Sequence, residues 1–352
     1  MVPISVCIPV YNGGAYLEEC LESVLRQTFD NFEIVIVDDR STDQSYDIVT
    51  QYAAEDSRIR VIRNKKNLGL VENWNRCVDL SRGEWIKFVF QDDLIEPDCL
   101  KEMIRNAVPE KGMVVCRRNI IYEDIDQEFR YWFDKIVNMK SLDTIFGGRR
   151  DISPDEFCNR VMDHLGHNFV GEPTAVLLHK SVFPRFGRFN DKFIQLCDLE
   201  FWARVCCNCG LVYIPETLAT FRLHNRGASL INRDRQIYRT TVLEFVLLYY
   251  EFAYNPLFQR LRDNGRRRYP KRNMEGFAVL ERIRAMEIAK NIEKRSSEYD
   301  YSPAGELNFL LKDYPKGENI FYYRWLKIIG PVIQHRRVLN FIYKRVLSRV
   351  SF

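Results

Sequence analysis

Residues 87–97 read KFVFQDDLIEP, an apolar run that passes directly into two adjacent carboxylates, Asp92 and Asp93. A short apolar run of this kind is typical of a buried strand. Pro97 suits the first turn of a following helix. Because neighbouring carboxylates repel each other, the pattern indicates either a cation beside the pair or a plain cap on that helix.

The residues around this stretch alternate between apolar runs and segments with helical spacing. Four strands are predicted before residue 91, with helical segments between them: residues 4–10, 32–37, 59–62 and 85–90. Further strands are predicted at residues 113–116 and 211–214, whereas residues 118–170 show no periodicity from which we predict elements. The alternation predicts βαβ units and therefore an α/β fold with a mainly parallel sheet flanked by helices.

Polar groups follow three of the predicted strands: Tyr11-Asn12, Asp38-Asp39 and Asp92-Asp93. In a parallel sheet the carboxyl ends of the strands open on one edge, where ligands bind. A divalent cation with oxygen ligands would relieve the repulsion between carboxylates and leave positions for phosphate oxygens. The sequence lacks a Walker-type loop and a Gly-x-Gly-x-x-Gly after the first strand, which excludes ordinary NTPase and dinucleotide-binding patterns.

Six elements of the sequence resemble, in order, family 2 of the inverting glycosyltransferases: Ser5–Asn12, Leu21–Thr28, Glu33–Asp43, Asn67-x-Gly69, Gly83–Ile86 and Gln91–Asp93. The resemblance implies the GT-A fold and transfer of a sugar, with inversion, from a nucleotide-sugar, a UDP-sugar being favoured. It also implies a Mn²⁺ or Mg²⁺ cofactor and a saccharide or lipid-linked saccharide acceptor that offers a hydroxyl, as in surface polysaccharide biosynthesis.

The resemblance assigns nucleotide-binding roles to five matching positions. Pro9, Tyr11 and Asn12 would line the nucleotide pocket. Asp39 would hydrogen-bond the base, and Asp92 would approach the ribose.

The resemblance also assigns the metal site and the base. Asp93 would bind the metal that bridges the diphosphate, and His224 would add a ligand or touch the diphosphate. Asp198 matches the general base that takes the proton from the acceptor hydroxyl. Arg222 would contact the diphosphate, and Glu172, in the acceptor loop, would contact a sugar hydroxyl or belong to a plain turn.

Two departures from the family pattern affect these assignments. Gln91 stands where the metal motif begins with Asp, and we still expect metal binding because the two following carboxylates are retained. Cys197 stands where the family often has Glu before the base, so Asp191 and Glu200 remain competitors for that role.

The chain divides, by prediction, into a catalytic domain and a basic helical region. Residues 1–117 form the nucleotide-sugar-binding half, residues 118–235 the acceptor-binding half, and residues 236–352 the C-terminal region. Residues 319–352 contain no acidic residue and place apolar residues at helical spacing, which predicts a basic amphipathic helix on the inner face of the cytoplasmic membrane. The alternative is a helix that packs on the catalytic domain and exposes a basic face.

Composition limits the class of protein. The 352 residues are 46% hydrophobic and carry a net charge of +4, which supports a large core and does not indicate a nucleic-acid partner. We expect a cytoplasmic protein because no apolar run could span a membrane and residues 1–14 do not resemble a signal peptide. The ten cysteines, including Cys206 and Cys209, are interpreted as reduced core residues, since no second pair has zinc-site spacing.

Other classes share part of the pattern. A phospho-receiver domain would be much shorter and would place its acidic pair after the first strand. A nucleotidyltransferase would need a basic first loop, and residues 12–15 contain no Arg or Lys. The remaining alternative is a catalytically degenerate nucleotide-sugar-binding protein, against which the retained Asp39, Asp93 and Asp198 argue.

Overall fold

The computed structural model describes six stretches of the chain: residues 2–137, 141–227, 230–232, 238–270, 273–295 and 302–315. These residues form two compact units. The first contains the residues up to Asp191 together with Cys197–Gly227, and the second contains Lys192–Leu196 and the described residues beyond Gly227. The basic segment 319–352, which we predict to be an amphipathic helix, lies outside the described residues.

The first unit is built on one nine-stranded sheet. Its strands are β1 (Ile4–Val10), β2 (Phe32–Asp38), β3 (Ile59–Arg63), β4 (Trp85–Phe88), β5 (Leu94–Ile95), β6 (Met113–Glu123), β7 (Asp151–Ile152), β8 (Val176–His179) and β9 (Leu211–His224). Their order across the sheet is β3-β2-β1-β4-β8-β6-β9-β5, and β7 pairs with β9.

The direction of the strands confirms the predicted mainly parallel sheet. β1 is parallel to β2 and β4, and β2 is parallel to β3. β8 runs antiparallel between β4 and β6, which gives β6 and its parallel partner β9 the direction of β4. β5 and β7 are antiparallel to β9. The carboxyl ends of β1, β2 and β4 therefore open on one edge, as the sequence predicts.

Nine α-helices lie among the described residues of the first unit. They are α1 (Leu17–Leu25), α2 (Ser45–Glu55), α3 (Leu70–Leu80), α4 (Cys99–Arg105), α5 (Gln127–Trp132), α6 (Leu142–Phe146), α7 (Pro154–Asp163), α8 (Val182–Phe186) and α9 (Cys197–Cys209). Every residue of β1 and β2 is buried, as expected for strands that are covered on both faces. Leu17, Cys20, Leu21 and Val24 form the apolar stripe of α1 and are fully buried in the same core.

Three strands differ from the sequence prediction by two or more residues. β4 ends at Phe88 rather than Phe90, β6 extends through Glu123, and β9 extends from residue 211 to residue 224. β6 and β9 pair along their length from Val114 opposite Val212 to Glu123 opposite His224. This pairing between segments about a hundred residues apart supports polar residues that interrupt the local apolar pattern. The region 118–170 also contains α5, α6, β7 and α7.

The second unit is helical. Its described helices include α10 (Glu244–Tyr254), α11 (Gln259–Arg268), α12 (Met274–Arg295) and α13 (Pro303–Leu310). The buried carboxylate of Glu244 accepts the N–H groups of Ile194, Gln195 and Leu196, each at 2.8 Å. In this way the first residue of α10 fixes the short segment 192–196.

The predicted core position of the cysteines is confirmed. All ten cysteines are buried, and Cys206 and Cys209 lie on α9. In the described part of the chain, no helix has both the length and the apolar character needed to cross a membrane.

Candidate active site

The loop at residues 11–14, which follows β1, is held by side chains from the segment after β2. Three successive backbone N–H groups donate to side-chain oxygens: Asn12 to Ser41 Oγ (3.0 Å), Gly13 to Ser45 Oγ (2.9 Å) and Gly14 to Asp43 Oδ2 (3.0 Å). Asn12 has a φ of 49°, a left-handed conformation that asparagine tolerates better than most residues. Because these N–H groups bond within the protein, the loop is not a free cradle for phosphate.

Gln91 fastens the same loop from the other side. Its Oε1 accepts the Tyr11 N–H (2.9 Å), and its Nε2 donates to the Tyr11 carbonyl (3.1 Å). An aspartate, which the family pattern has at this position, has no N–H to donate to that carbonyl. A Cβ on Gly13 would lie 2.3 Å from the Gln91 side chain, so a larger residue there would displace the Gln91 amide from Tyr11. The glutamine that stands here in place of the family's aspartate thus holds the loop that carries Tyr11.

Asp39, at the end of β2, is buried and holds the loop before α3. Its carboxylate accepts Asn64 Nδ2 (2.8 Å) and the backbone N–H groups of Leu68 (2.8 Å) and Gly69 (2.9 Å). An ionised carboxylate offers about four acceptor positions, so one remains for an additional donor. The neighbouring Asp38 instead pairs with Arg63 at 3.1 Å.

The two adjacent carboxylates after β4 have different surroundings. Asp93 is fully buried; its Oδ1 accepts the Arg222 N–H (3.0 Å), and its Oδ2 accepts the Thr174 hydroxyl. Burial and the nearby Asp92 raise the pKa of Asp93 well above its usual value. Asp92 is partly exposed, and its Oδ2 lies 3.0 Å from His224 Nε2. Only the outer carboxylate of the pair is therefore open to a ligand.

Asp92 and His224 also provide the test of whether the site suits a divalent metal. Among the described residues, no three His, Cys, Asp or Glu side chains are gathered closely enough to hold a metal by themselves. The Nδ1 atom of His224 is buried without a hydrogen-bond partner. A carboxylate and an imidazole, with the remaining positions taken by phosphate oxygens and water, form a donor set that suits Mn²⁺ or Mg²⁺. The residues present therefore fit the metal, provided that the substrate supplies part of the coordination.

Arg222 does not offer a free cation to a diphosphate. Its guanidinium forms ion pairs with Glu19 and with Glu123 (2.9 Å for the latter), and its Nε donates to the Asp92 carbonyl (3.1 Å). The same group lies over the ring of Tyr16, 4.7 Å from its centroid. Because two carboxylates already neutralise this guanidinium, we do not retain the diphosphate contact that the sequence predicted for it.

Asp198 lies in the first turn of α9. Its Oδ2 accepts Asn168 Nδ2 (2.8 Å), and its Oδ1 accepts the Leu199 N–H (2.6 Å). Burial raises the pKa of Asp198 to about 7, and Glu172 adds to the rise. A carboxylate that titrates near neutral pH is well matched to general-base catalysis.

The two competing carboxylates are less suited to that role. Asp191 is exposed to solvent. Glu200 is buried and bound by both Nε (2.8 Å) and Nη2 (2.7 Å) of Arg204. Glu200 is thus already neutralised by an arginine, and Asp191 does not lie in a poorly solvated site as Asp198 does.

The loop at residues 168–174 links Asp198 to the pair of carboxylates, Asp92 and Asp93, that follows β4. Asn168, which contacts Asp198, also accepts the Gly171 N–H (3.0 Å). At the other end of the loop, Thr174 donates to Asp93. Between them, Glu172 forms an ion pair with Arg118, so the carboxylate that we predicted to contact a sugar hydroxyl is engaged by the protein.

Sequence reasoning missed Arg118, Asn168 and Thr174 as parts of the site. Their partners are 54, 30 and 81 positions away along the chain, respectively. The signal that was available is the Gly-Glu-Pro-Thr turn, which marks the loop but not its contacts.

Comparison with known proteins decides the family. Residues 5–170 match the pattern described as "Glycosyl transferase family 2". EpsH of Bacillus subtilis (strain 168), whose name assigns it provisionally to the glycosyltransferases, is 30% identical over 79% of this chain and 74% of its own length. The chain belongs to glycosyltransferase family 2. The glycosyltransferase GlyG of Streptococcus pneumoniae serotype 4 is 33% identical to it over 51% of this chain and 67% of its own length.

Solved structures share the fold of this glycosyltransferase. Staphylococcus aureus TarS 1–349, solved with UDP-GlcNAc, matches 90% of this chain and 93% of its own, with a TM-score of 0.53 and 16% identity. The mannosyltransferase PcManGT of Pyrobaculum calidifontis, solved with GDP-Man and Mn²⁺, matches 92% of this chain and 83% of its own, with a TM-score of 0.52 and 16% identity. The predicted GT-A fold is thereby confirmed.

Proposed function

We propose that this family 2 glycosyltransferase moves a sugar from a nucleotide-sugar to an acceptor hydroxyl, with inversion at the anomeric carbon. One observation carries the proposal: Asp198, with a pKa of about 7, connects through the loop 168–174 to the acidic end of β4. A base and a diphosphate site joined in this way are what a single displacement requires.

The reaction needs one proton acceptor and one site for the leaving group. The acceptor oxygen attacks the anomeric carbon on the face opposite the diphosphate, and the bond from that carbon to the diphosphate oxygen breaks. As the new bond forms, Asp198 takes the hydroxyl proton. Asn168 holds one carboxylate oxygen of Asp198 during this transfer, since its amide donates to Oδ2. Attack from the opposite face inverts the configuration, and no covalent nucleophile is needed.

In this proposal the metal ligand of the acidic pair is Asp92, which the family resemblance places near the ribose, instead of Asp93. Asp92 and His224 would hold Mn²⁺ or Mg²⁺, because Asp92 is the open carboxylate and the two side chains already meet at 3.0 Å. Asp93, with both oxygens bonded and no exposure, would hold the strand end in place. The bound cation would neutralise negative charge on the departing diphosphate.

The donor is proposed to be a UDP-sugar. The remaining acceptor position of Asp39 could receive an N–H of the base, and Pro9, Tyr11 and Asn12 lie at the end of the neighbouring strand β1. TarS was solved with UDP-GlcNAc and PcManGT with GDP-Man, so the choice of base requires a direct test.

The acceptor is proposed to be a saccharide or lipid-linked saccharide at the inner face of the cytoplasmic membrane, in surface polysaccharide biosynthesis. The support is the sequence of residues 319–352, which combines basic and apolar residues without any acidic one. A relative from Mycobacterium bovis (strain BCG / Pasteur 1173P2), 28% identical over 62% of this chain, is named a PGL/p-HBAD biosynthesis glycosyltransferase.

Calorimetric titration with UDP, GDP and dTDP, each with and without Mn²⁺, tests the donor and the metal together. We expect one nucleotide to bind in a metal-dependent way. Asp92→Asn should abolish the gain from Mn²⁺, because it removes the open carboxylate. Asp93→Asn is the matched control and should retain that gain, since an amide keeps an acceptor for the Arg222 N–H.

Two results would overturn parts of this proposal. If no nucleotide binds, the chain is not a nucleotide-sugar-dependent transferase. If Asp93→Asn rather than Asp92→Asn abolishes the metal-dependent binding, the metal ligand is Asp93, as the family resemblance first implied.

A further inference from the structure

Arg118 lies where the pairing of two long strands becomes irregular. The register between β6 and β9 shifts on both sides of Arg117, so that Arg118 faces Ala219 after Cys116 has faced Ile214. Irregularities of this kind occur next to active sites, where they redirect a side chain. Here the redirected side chain carries a positive charge into the interior, since the Arg118 side chain is only 11% exposed.

The Arg118 guanidinium is committed to one carboxylate. Its Nε and Nη2 both donate to Glu172, whose side chain is 17% exposed, in a two-point ion pair. Gly171 makes the approach possible, because a Cβ there would lie 3.3 Å from Arg118 Nε and the φ of 105° disfavours any side chain. Tyr122, bound to Asp134, and the buried Asp93 are the other titratable groups near Arg118.

The ion pair lies beside the proposed base. Glu172 follows Gly171, whose carbonyl accepts from Asn168 Nδ2 (3.2 Å) and from Trp202 Nε1 (3.0 Å). Asn168 in turn donates to Asp198. Burial is the main cause of the raised pKa of Asp198, and Glu172 adds to it because two negative charges in a poorly solvated site repel each other.

We propose that Arg118 is a positioning residue for sugar transfer: by neutralising Glu172 it holds the loop 168–174 in place and limits the negative charge beside Asp198. This inference rests on the proposed function in that Asp198 is taken as the base. Without Arg118, Glu172 would be an uncompensated carboxylate close to a second one. Asp198 would then stay protonated to a higher pH and would accept a proton less readily at neutral pH.

The test measures the titration of Asp198 itself, without substrate. The full chain is labelled with ¹³C at the aspartate carboxyl carbon, and the Asp198 resonance is assigned by its loss in Asp198→Asn. Its pKa is then compared in the unaltered protein, Arg118→Met, Glu172→Gln and the double variant, with metal removed by EDTA. Circular dichroism and thermal melting establish that each variant is folded at the temperature of the titration.

The expected shifts have opposite signs. Arg118→Met should raise the pKa of Asp198 by about one unit, Glu172→Gln should lower it, and the double variant should return it close to the original value. If Arg118→Met does not fold, Arg118→Gln takes its place, because glutamine removes the positive charge and keeps an N–H donor for Glu172. Shifts of one sign in all variants, or no shifts, would overturn the proposal.

The pH profile of turnover gives a second readout. Its acidic limb should move with the titration of Asp198 in each variant, and Arg118→Lys, which keeps the charge, should restore most of the original profile. If the titration shifts as expected but no nucleotide binds, the charge arrangement stands and the proposed function fails. If nucleotides bind and the titration does not shift, the transferase proposal stands and the role of Arg118 is wrong.

Discussion

The loop at residues 11–14 and the loop at residues 168–174 both contact the segment that follows β4, yet they are fixed by different forces. The first is held by hydroxyls, one carboxylate and the amide of Gln91, through bonds to its backbone. The second is held by the buried ion pair of Arg118 with Glu172 and by the contact of Thr174 with Asp93.

Because of this difference, we expect substitutions at the two loops to affect different properties of the enzyme. A neutral hydrogen bond to a loop contributes about 0.5–1.5 kcal/mol, so its loss should weaken ligand binding without changing the chemistry. A buried charge also sets the protonation of its neighbours, so a change on the acceptor side should alter the rate and its dependence on pH. The predictions below test this comparison.

The largest effect is expected for the base. Asp198→Asn removes the proton acceptor and should lower turnover by about 10²–10⁴-fold while leaving nucleotide affinity unchanged. Asp191→Asn makes the same chemical change at an exposed position and should have little effect. Steady-state rates with saturating donor measure both variants. A loss in Asp191→Asn as large as that in Asp198→Asn would place the base elsewhere.

The second prediction concerns pH. Because the pKa of Asp198 is about 7, its carboxylate is available above that pH and becomes protonated below it. Turnover at saturating donor should therefore rise with pH and level off above about pH 7, and fall about tenfold per unit below it. Rates measured in overlapping buffers from about pH 5 to about pH 9 check this. An acidic limb centred near the ordinary aspartate pKa of about 4 would contradict the buried setting of the base.

The smallest effect is expected on the nucleotide side. Gln91→Glu keeps an oxygen that accepts the Tyr11 N–H but loses the N–H group that donates to the Tyr11 carbonyl. The affinity for the nucleotide-sugar should therefore fall about three- to tenfold, with little change in maximal rate. Gln51→Glu introduces the same charge at an exposed position of α2 and should leave affinity unchanged. A large drop in maximal rate for Gln91→Glu would mean that the two loops do not differ as described.

The nucleotide-side half of the fold was predictable because its signals are local. The runs at residues 4–10 and 32–37 are apolar except for Ser5 and Glu33, since parallel strands are buried on both faces, and each run is followed by polar residues that border the site. The convergence of these ends follows from parallel pairing alone, without knowledge of any side-chain contact.

The acceptor-side half was less predictable because its contacts join distant parts of the chain. β6 continues beyond residue 116 through Arg117 and Arg118, where a local pattern ends, because β9 pairs with it. The ion pair of Arg118 with Glu172 spans 54 positions, and neither residue stands in a motif that indicates the other. The different surroundings of Asp92 and Asp93 likewise arise from β9 and from Thr174, which a pair of adjacent aspartates does not reveal.

The hold of Glu244 on Ile194, Gln195 and Leu196 limits how the chain can be shortened. The segment 192–196 belongs to the helical unit although it precedes α9 in the chain. Deleting the chain after Gly227 would remove Glu244, whose carboxylate accepts these three backbone N–H groups. The last of them, that of Leu196, lies two positions before Asp198. The truncated chain would lack the anchor of the segment that leads into Asp198, and so would a chain cut at the predicted boundary after residue 235, because Glu244 lies beyond both points.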